Sequence, residues 1–100
     1  VEVGVSYDSD LNHVERVTKE VIQETLNEIE GGVPEFEPFI RFFSFADSSI
    51  SLKAFLRVKE YSNQFVVKSE FIKKLHERYN KEGINIPFPI RTVQMQKETE

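Results

Sequence analysis

The sequence has no cysteine and no tryptophan, only one methionine and two histidines, and just four glycines and four prolines in 100 residues. Without cysteine there is no disulfide, no thiol nucleophile and no thiolate metal site, and the chain suits a reducing compartment. No apolar run approaches the roughly 20 residues that span a bilayer. Residues 1–7 lack the basic-then-apolar layout of a signal peptide. An excess of positive charge is missing as well: 17 acidic against 13 basic side chains give a formal charge of −4. That sign favours solubility, repels polyphosphate backbones and argues against a nucleic-acid partner.

Catalytic patterns are equally scarce. There is no Walker loop and no Gly-x-Gly-x-x-Gly for a dinucleotide. Asp47, Ser48 and Ser49 stand together, but without a Gly-x-Ser-x-Gly elbow or a histidine at motif spacing they read as a turn. Asp8, Ser9 and Asp10 open like a calcium loop, yet His13 stands where that loop needs glycine and Lys19 where it needs the bidentate glutamate. They read as a helix cap. His13 and His76 fall on different predicted helices with no second ligand at metal spacing, and both read as surface residues. The expectation is a chain that is not an enzyme and holds no cofactor and no metal.

What is present is enough to fold. Hydrophobic residues make up 39% of the chain and nine phenylalanines supply most of its aromatic content, which fits one domain around one core. Val1, Val3, Val5 and Tyr7 alternate with Glu2, Gly4 and Ser6, the period of a half-buried strand. Leu11, Val14, Val17, Val21, Ile22, Leu26 and Ile29 then recur at steps of three and four, predicting a helix to about Glu30 that Gly31 and Gly32 end. Residues 33–38, with two prolines and two glutamates, read as a loop. Residues 39–45 and 50–59 carry strand patterns joined by a polar break of hairpin length. After a polar loop at 61–63, Phe65, Phe71, Ile72, Leu75 and Tyr79 give a second helical stripe, which Gly83 closes. Residues 84–96 are extended and interrupted by Pro87 and Pro89, and 97–100 read as a frayed tail.

The order βαββα plus an extended segment predicts an α+β, ferredoxin-like (split βαβ) sandwich with both helices on one sheet face. Ile50, Leu52, Ala54, Leu56 and Val58 are expected beneath the helices, with Ser51, Lys53, Phe55, Arg57 and Lys59 on the other side. Depending on register, Phe43 and Phe45 join Phe55 there in an apolar patch framed by Arg41, Lys53 and Arg57, a candidate contact surface. The same element order serves RNA-recognition domains, but Lys53, Ala54, Phe55, Leu56 and Arg57 match their aromatic motif poorly. Fold alone does not choose a function.

Three stretches narrow the choice. They are Val3-Gly4-Val5-Ser6-Tyr7-Asp8-Ser9-Asp10-Leu11, then Ala46-Asp47-Ser48-Ser49-Ile50-Ser51-Leu52, then Glu82-Gly83-Ile84-Asn85-Ile86-Pro87-Phe88-Pro89. In order and spacing they resemble the C-terminal, cytoplasmic part of small-conductance mechanosensitive (MscS-like) channels. The first is similar to the family's strand-to-helix entry, the second to its small-residue turn and strand, the third to its helix exit and Pro-aromatic-Pro turn. Ala46 departs from the glycine many members carry, and the loop with Glu35 and Glu37 is richer in glutamate.

The resemblance implies a subunit of a seven-membered ring of identical chains. Membrane helices outside this sequence form the tension-gated pore, and this domain helps to build a hollow cytoplasmic cage on the inner side of the cell membrane. Val1 lies inside a strand pattern with no initiator methionine, which fits a piece of a longer protein. Residues 1–89 are then the cytoplasmic α/β domain, 90–96 a strand that pairs with its copies in a parallel barrel, and 97–100 a flexible tail. Ile90, Val93 and Met95 join Phe43, Phe45 and Phe55 as candidate subunit-interface residues. Glu28, Glu30, Glu35 and Glu37 are candidate ion-filter charges for permeating ions. The rival expectation is a free-standing regulatory domain that binds a small ligand and dimerises through its sheet face.

Overall fold

The alternating valines that open the chain form strand β1 (Glu2–Val5), in which Val5 is fully buried, Val3 packs against the core and Glu2 and Gly4 face the other way. These positions come from a computed structural model, which describes residues 1–87. Asp10 follows as an N-cap: its carboxylate accepts the backbone N–H groups of Asn12 at 3.1 Å and His13 at 3.3 Å, two of the donors a helix start leaves unpaired. Helix α1 (Leu11–Glu28) ends two residues before the predicted end at Glu30, because Ile29 is already extended and donates its N–H back to Thr25. Val14, Val17, Val21, Ile22 and Leu26 form the buried stripe the spacing predicts. Gly31, at φ +99°, turns the chain back, and a side chain there would strike that of Asn63.

Strands β2 (Phe39–Phe45) and β3 (Ile50–Phe55) form the expected antiparallel hairpin around a turn in which the Ala46 N–H donates to the Ser49 carbonyl at 2.7 Å. β3 stops at Phe55 rather than Lys59, since Phe55 faces the first residue of β2 and nothing continues that ladder. Beyond it the chain finds a different partner in the turn after α1: the Val33 N–H donates to Arg57, the Lys59 N–H to Gly31, and Gly32 bridges Val58. The loop at 33–38 is thus tied at its first residue. Residues Tyr61–Asn63 form a single 3-10 turn rather than an open loop, leading into α2 (Gln64–Glu82), which Gly83 ends in the left-handed conformation at φ +75°.

The α2 stripe differs from the one the sequence predicts. Val67, Phe71, Leu75 and Tyr79 are buried, whereas Phe65 and Ile72 are exposed. Steps of four hold one face, while positions six before and one after Phe71 lie about 100–120° around the helix. The sheet order β1-β3-β2, both pairs antiparallel, with α1 and α2 over one face, is the split βαβ arrangement. Val5, Leu52, Ala54 and Ile40 supply the sheet side of the core, and α1 and α2 close it. Leu56 and Val58 are partly buried at its margin. Between the helices the Thr18 and Tyr79 hydroxyls bond at 2.6 Å, so that neither buried oxygen is orphaned.

Residues 84–86, the start of the segment read as extended, form no strand. Ile84 is buried, and one bond, from the Ser6 N–H to the Asn85 carbonyl at 3.0 Å, ties the segment to the end of β1. The expected strand at 90–96, with Ile90, Val93 and Met95, and the tail at 97–100 lie outside the described residues.

Candidate subunit interface

The sheet face away from the helices carries several of the hairpin's aromatic side chains, and its register decides which of them meet there. Phe39 is paired with Phe55 and Arg41 with Lys53, so all four lie on the open face. The Phe39 and Phe55 rings stack at 4.5 Å between centroids, 13° from parallel. A bulge follows Phe42, leaving Phe43 without an opposite residue and bringing Ser44 against Ser51. Phe43 stays on the open face, where the Lys53 ammonium sits 5.1 Å from its ring centre. Phe36, from the loop before β2, extends the array through Arg57, whose guanidinium lies 5.6 Å from its ring, while Arg41 lies 4.9 Å from that of Phe39.

The same bulge takes Phe45 away. It pairs with the buried Ile50 and, at 79% exposure, stacks against Tyr7 at the hairpin end, where the Tyr7 hydroxyl donates to the Ala46 carbonyl. The structure therefore places Phe43 and Phe55 on one face, with Phe36 and Phe39, and leaves Phe45 at another corner. Phe39 was legible from the alternation Phe39, Arg41, Phe43. Phe36 was not, because a loop residue has no strand period to read.

Charge on the two sides of the sheet is arranged differently. On the helix side Lys74 bridges Glu28 at 2.8 Å and Glu24 at 3.9 Å, and Arg78 bonds Glu82 at 3.0 Å and Glu20 at 2.5 Å. The Glu28 bond raises the Lys74 pKa, Glu20 and Glu82 raise that of Arg78, and the Arg78 bond holds the Glu82 carboxyl below its ordinary value. Exposed pairs of this kind contribute little stability one by one. His13 is half-buried rather than a free surface residue, accepting from Arg16 at 2.9 Å and lying 3.3 Å from Glu82, whereas His76 is exposed. On the open face Arg41, Lys53 and Arg57 lie over rings, and among the described residues none of the three has a carboxylate within 4.0 Å.

The four glutamates read as filter charges do not form one group. Glu28 is taken up by Lys74, Glu30 lies beside Lys59 on a shallow depression, and Glu35 and Glu37 stand exposed in the loop before β2. Among the described residues no three His, Asp or Glu side chains are placed to hold a metal ion, and no helix is long and apolar enough to cross a membrane. An open groove of about 340 Å³ lies beside Phe55, Leu56, Val58, Tyr61 and Val67, with Val1, Gln64 and Lys68 also in its lining.

A family profile described as mechanosensitive ion channel MscS, C-terminal, matches residues 1–86. The small-conductance mechanosensitive channel MscMJ of Methanocaldococcus jannaschii is 26% identical over 98 residues, a stretch that takes in 96% of this chain and 27% of that protein. The chain thus spans about a quarter of the length of the curated relative it matches.

Proposed function

The chain belongs to the family of MscS mechanosensitive ion channel C-terminal domains, and from that premise we propose that it is the cytoplasmic domain of one subunit of a tension-gated channel that relieves osmotic pressure. The observation that carries the reading is the match across residues 1–86, which takes in every element of the described fold. This is a family of channel domains and not of enzymes.

Tension acts on such a channel because the open pore occupies more membrane area than the closed one, so stretching the bilayer biases a two-state equilibrium. The domain described here contributes by holding subunits together and by shaping the path of ions on the cytoplasmic side. Identical subunits assemble as a seven-membered ring through the open face bearing Phe43 and Phe55. Residues 90–96, with Ile90, Val93 and Met95, join their copies in a barrel below it. Glu30, Glu35 and Glu37 give the wall a negative potential that favours cations, and Glu28, already paired with Lys74, adds less.

The test uses the full-length parent protein in liposomes under patch-clamp suction, with its mass measured in detergent. The reading expects pressure-dependent conductance from a heptamer. A full-length protein that yields no tension-activated current, or that remains a monomer or dimer in detergent, would overturn it.

A further inference from the structure

Two arginines, two glutamates and one histidine close a circuit of side chains between the helices. Arg16 Nη2 donates to His13 Nδ1 at 2.9 Å, and His13 Nε2 lies 3.3 Å from Glu82 Oε1. Arg78 then links Glu82, at 3.0 Å, to Glu20, and Glu20 returns to Arg16 at 4.0 Å. The circuit ties the first turn of α1 to the last turn of α2.

One link fixes the state of the histidine. A guanidinium only donates, so the Nδ1 that faces it offers a lone pair and the ring proton sits on Nε2, the nitrogen nearest Glu82. That is the neutral imidazole. A second proton has only Nδ1 to occupy, where it aims a donor at a donor and sets two cations 2.9 Å apart. On the opposite side of the ring the same proton turns a neutral contact with Glu82 into an ion pair, the stronger of the two. Glu82 remains an anion through the change, because Arg78 holds its carboxyl below the ordinary value. The two neighbours of His13 thus respond in opposite senses to one proton. Asp8 and Asp10, in the turn before α1, line the same depression. Asp8 accepts from the Ser6 hydroxyl and Asp10 from the Asn12 and His13 backbone, so the imidazole keeps Arg16 and Glu82 as its side-chain partners. The other charged groups around it, Glu20 on α1 and Arg78 on α2, stand one link further round the circuit.

We propose that His13 is a proton-operated switch in the tie between α1 and α2: neutral, it closes the circuit through Arg16, and protonated, it releases Arg16 and binds Glu82 more tightly. The released guanidinium has Glu20 one turn along its own helix, 4.0 Å away. Glu20 is already bonded to Arg78, so the rearrangement passes on to the second helix. The inference rests on this cluster and stands whether or not the chain is a channel subunit.

Side-chain nitrogen NMR of the 100-residue chain tests it at about pH 8 and about pH 5, the ends of the range in which imidazole ordinarily changes charge. At the higher pH His13 shows a proton on Nε2 and a bare Nδ1, and the Arg16 guanidinium signal is displaced from that of a free arginine. At the lower pH both ring nitrogens carry protons and the Arg16 signal returns to the free position. In His13→Gln the Arg16 signal no longer makes this pH-dependent shift, although the exposed His76 still titrates. Double-mutant cycles in urea, with alanine at each position, read the two links separately. The His13–Arg16 coupling is worth roughly twofold to threefold in the folding equilibrium at the higher pH and vanishes or reverses at the lower, while the His13–Glu82 coupling grows. Three results overturn the proposal: a proton on Nδ1 rather than Nε2 at the higher pH, an Arg16 signal that is the same at both, or two couplings that change in the same sense.

Discussion

At the scale of single residues, the contact between Thr18 and Tyr79 has the clearest energetic meaning. Both side chains are buried, and each hydroxyl oxygen has the other as its partner. Tyr79→Phe removes one oxygen and leaves the other in an apolar setting, a loss of about 1–2 kcal/mol. Adding Thr18→Val removes the stranded group and recovers part of it, which a double-mutant cycle in urea reads directly. Burial also raises the Tyr79 pKa, with the Thr18 bond opposing the shift. The folded state therefore holds its proton to higher pH than the unfolded state, in which tyrosine ionises near about pH 10. The stabilisation is whole below that value and is lost as pH rises through the folded one. Wild-type stability should fall more steeply between about pH 9 and 11 than that of Tyr79→Phe, and parallel curves would show that the phenol does not carry the difference. Tyr79 was legible as a core position from its helical spacing. Its partner was not, because 61 residues separate the two and no local pattern records such a pairing.

Elements were easier to read than their edges. The period of two in β1, the stripe of α1, the Asp10 cap and the hairpin all follow from local sequence, since each rests on neighbours within a few positions. β3 was read too long because Leu56 and Val58 keep the alternation after the partner strand has ended, and a strand exists only where something pairs with it. The bulge after Phe42 was invisible for the same reason, and it decides the face of Phe45. In α2, counting apolar residues at helical steps merged two faces. Phe71 is fully buried among the core side chains, while Phe65 is 66% exposed. Truncating Phe71 to alanine should cost about 3–5 kcal/mol through lost burial and the cavity left behind. Phe65→Ala should change stability by no more than about 0.5 kcal/mol. Urea unfolding midpoints of the two variants separate these faces, and equal losses would restore the stripe that spacing alone predicts.

For the whole molecule the question is why an acidic domain gathers aromatic and cationic side chains on one sheet face. Arg41, Lys53 and Arg57 on that face lie against phenylalanine rings, whereas Lys19, Lys74 and Arg78 on the helix side meet carboxylates. Cations left without carboxylates but resting on apolar surface can pair with an acidic partner while the rings beneath them lose water, which is how an interface centre gains affinity. The bulge supplies an internal comparison, since Phe43 lies on this face and Phe45 lies off it. Phe43→Ser removes a half-exposed ring and its cation contact, so the domain itself should lose less than about 1 kcal/mol. If the open face joins subunits, the same substitution in the full-length protein lowers the fraction recovered as complete oligomer in detergent, whereas Phe45→Ser, equally apolar and more exposed, leaves that fraction unchanged. Native mass measurement of the two variants side by side decides the matter: equal assembly would remove the open face from the interface and turn attention to the hairpin end and the edge of β1.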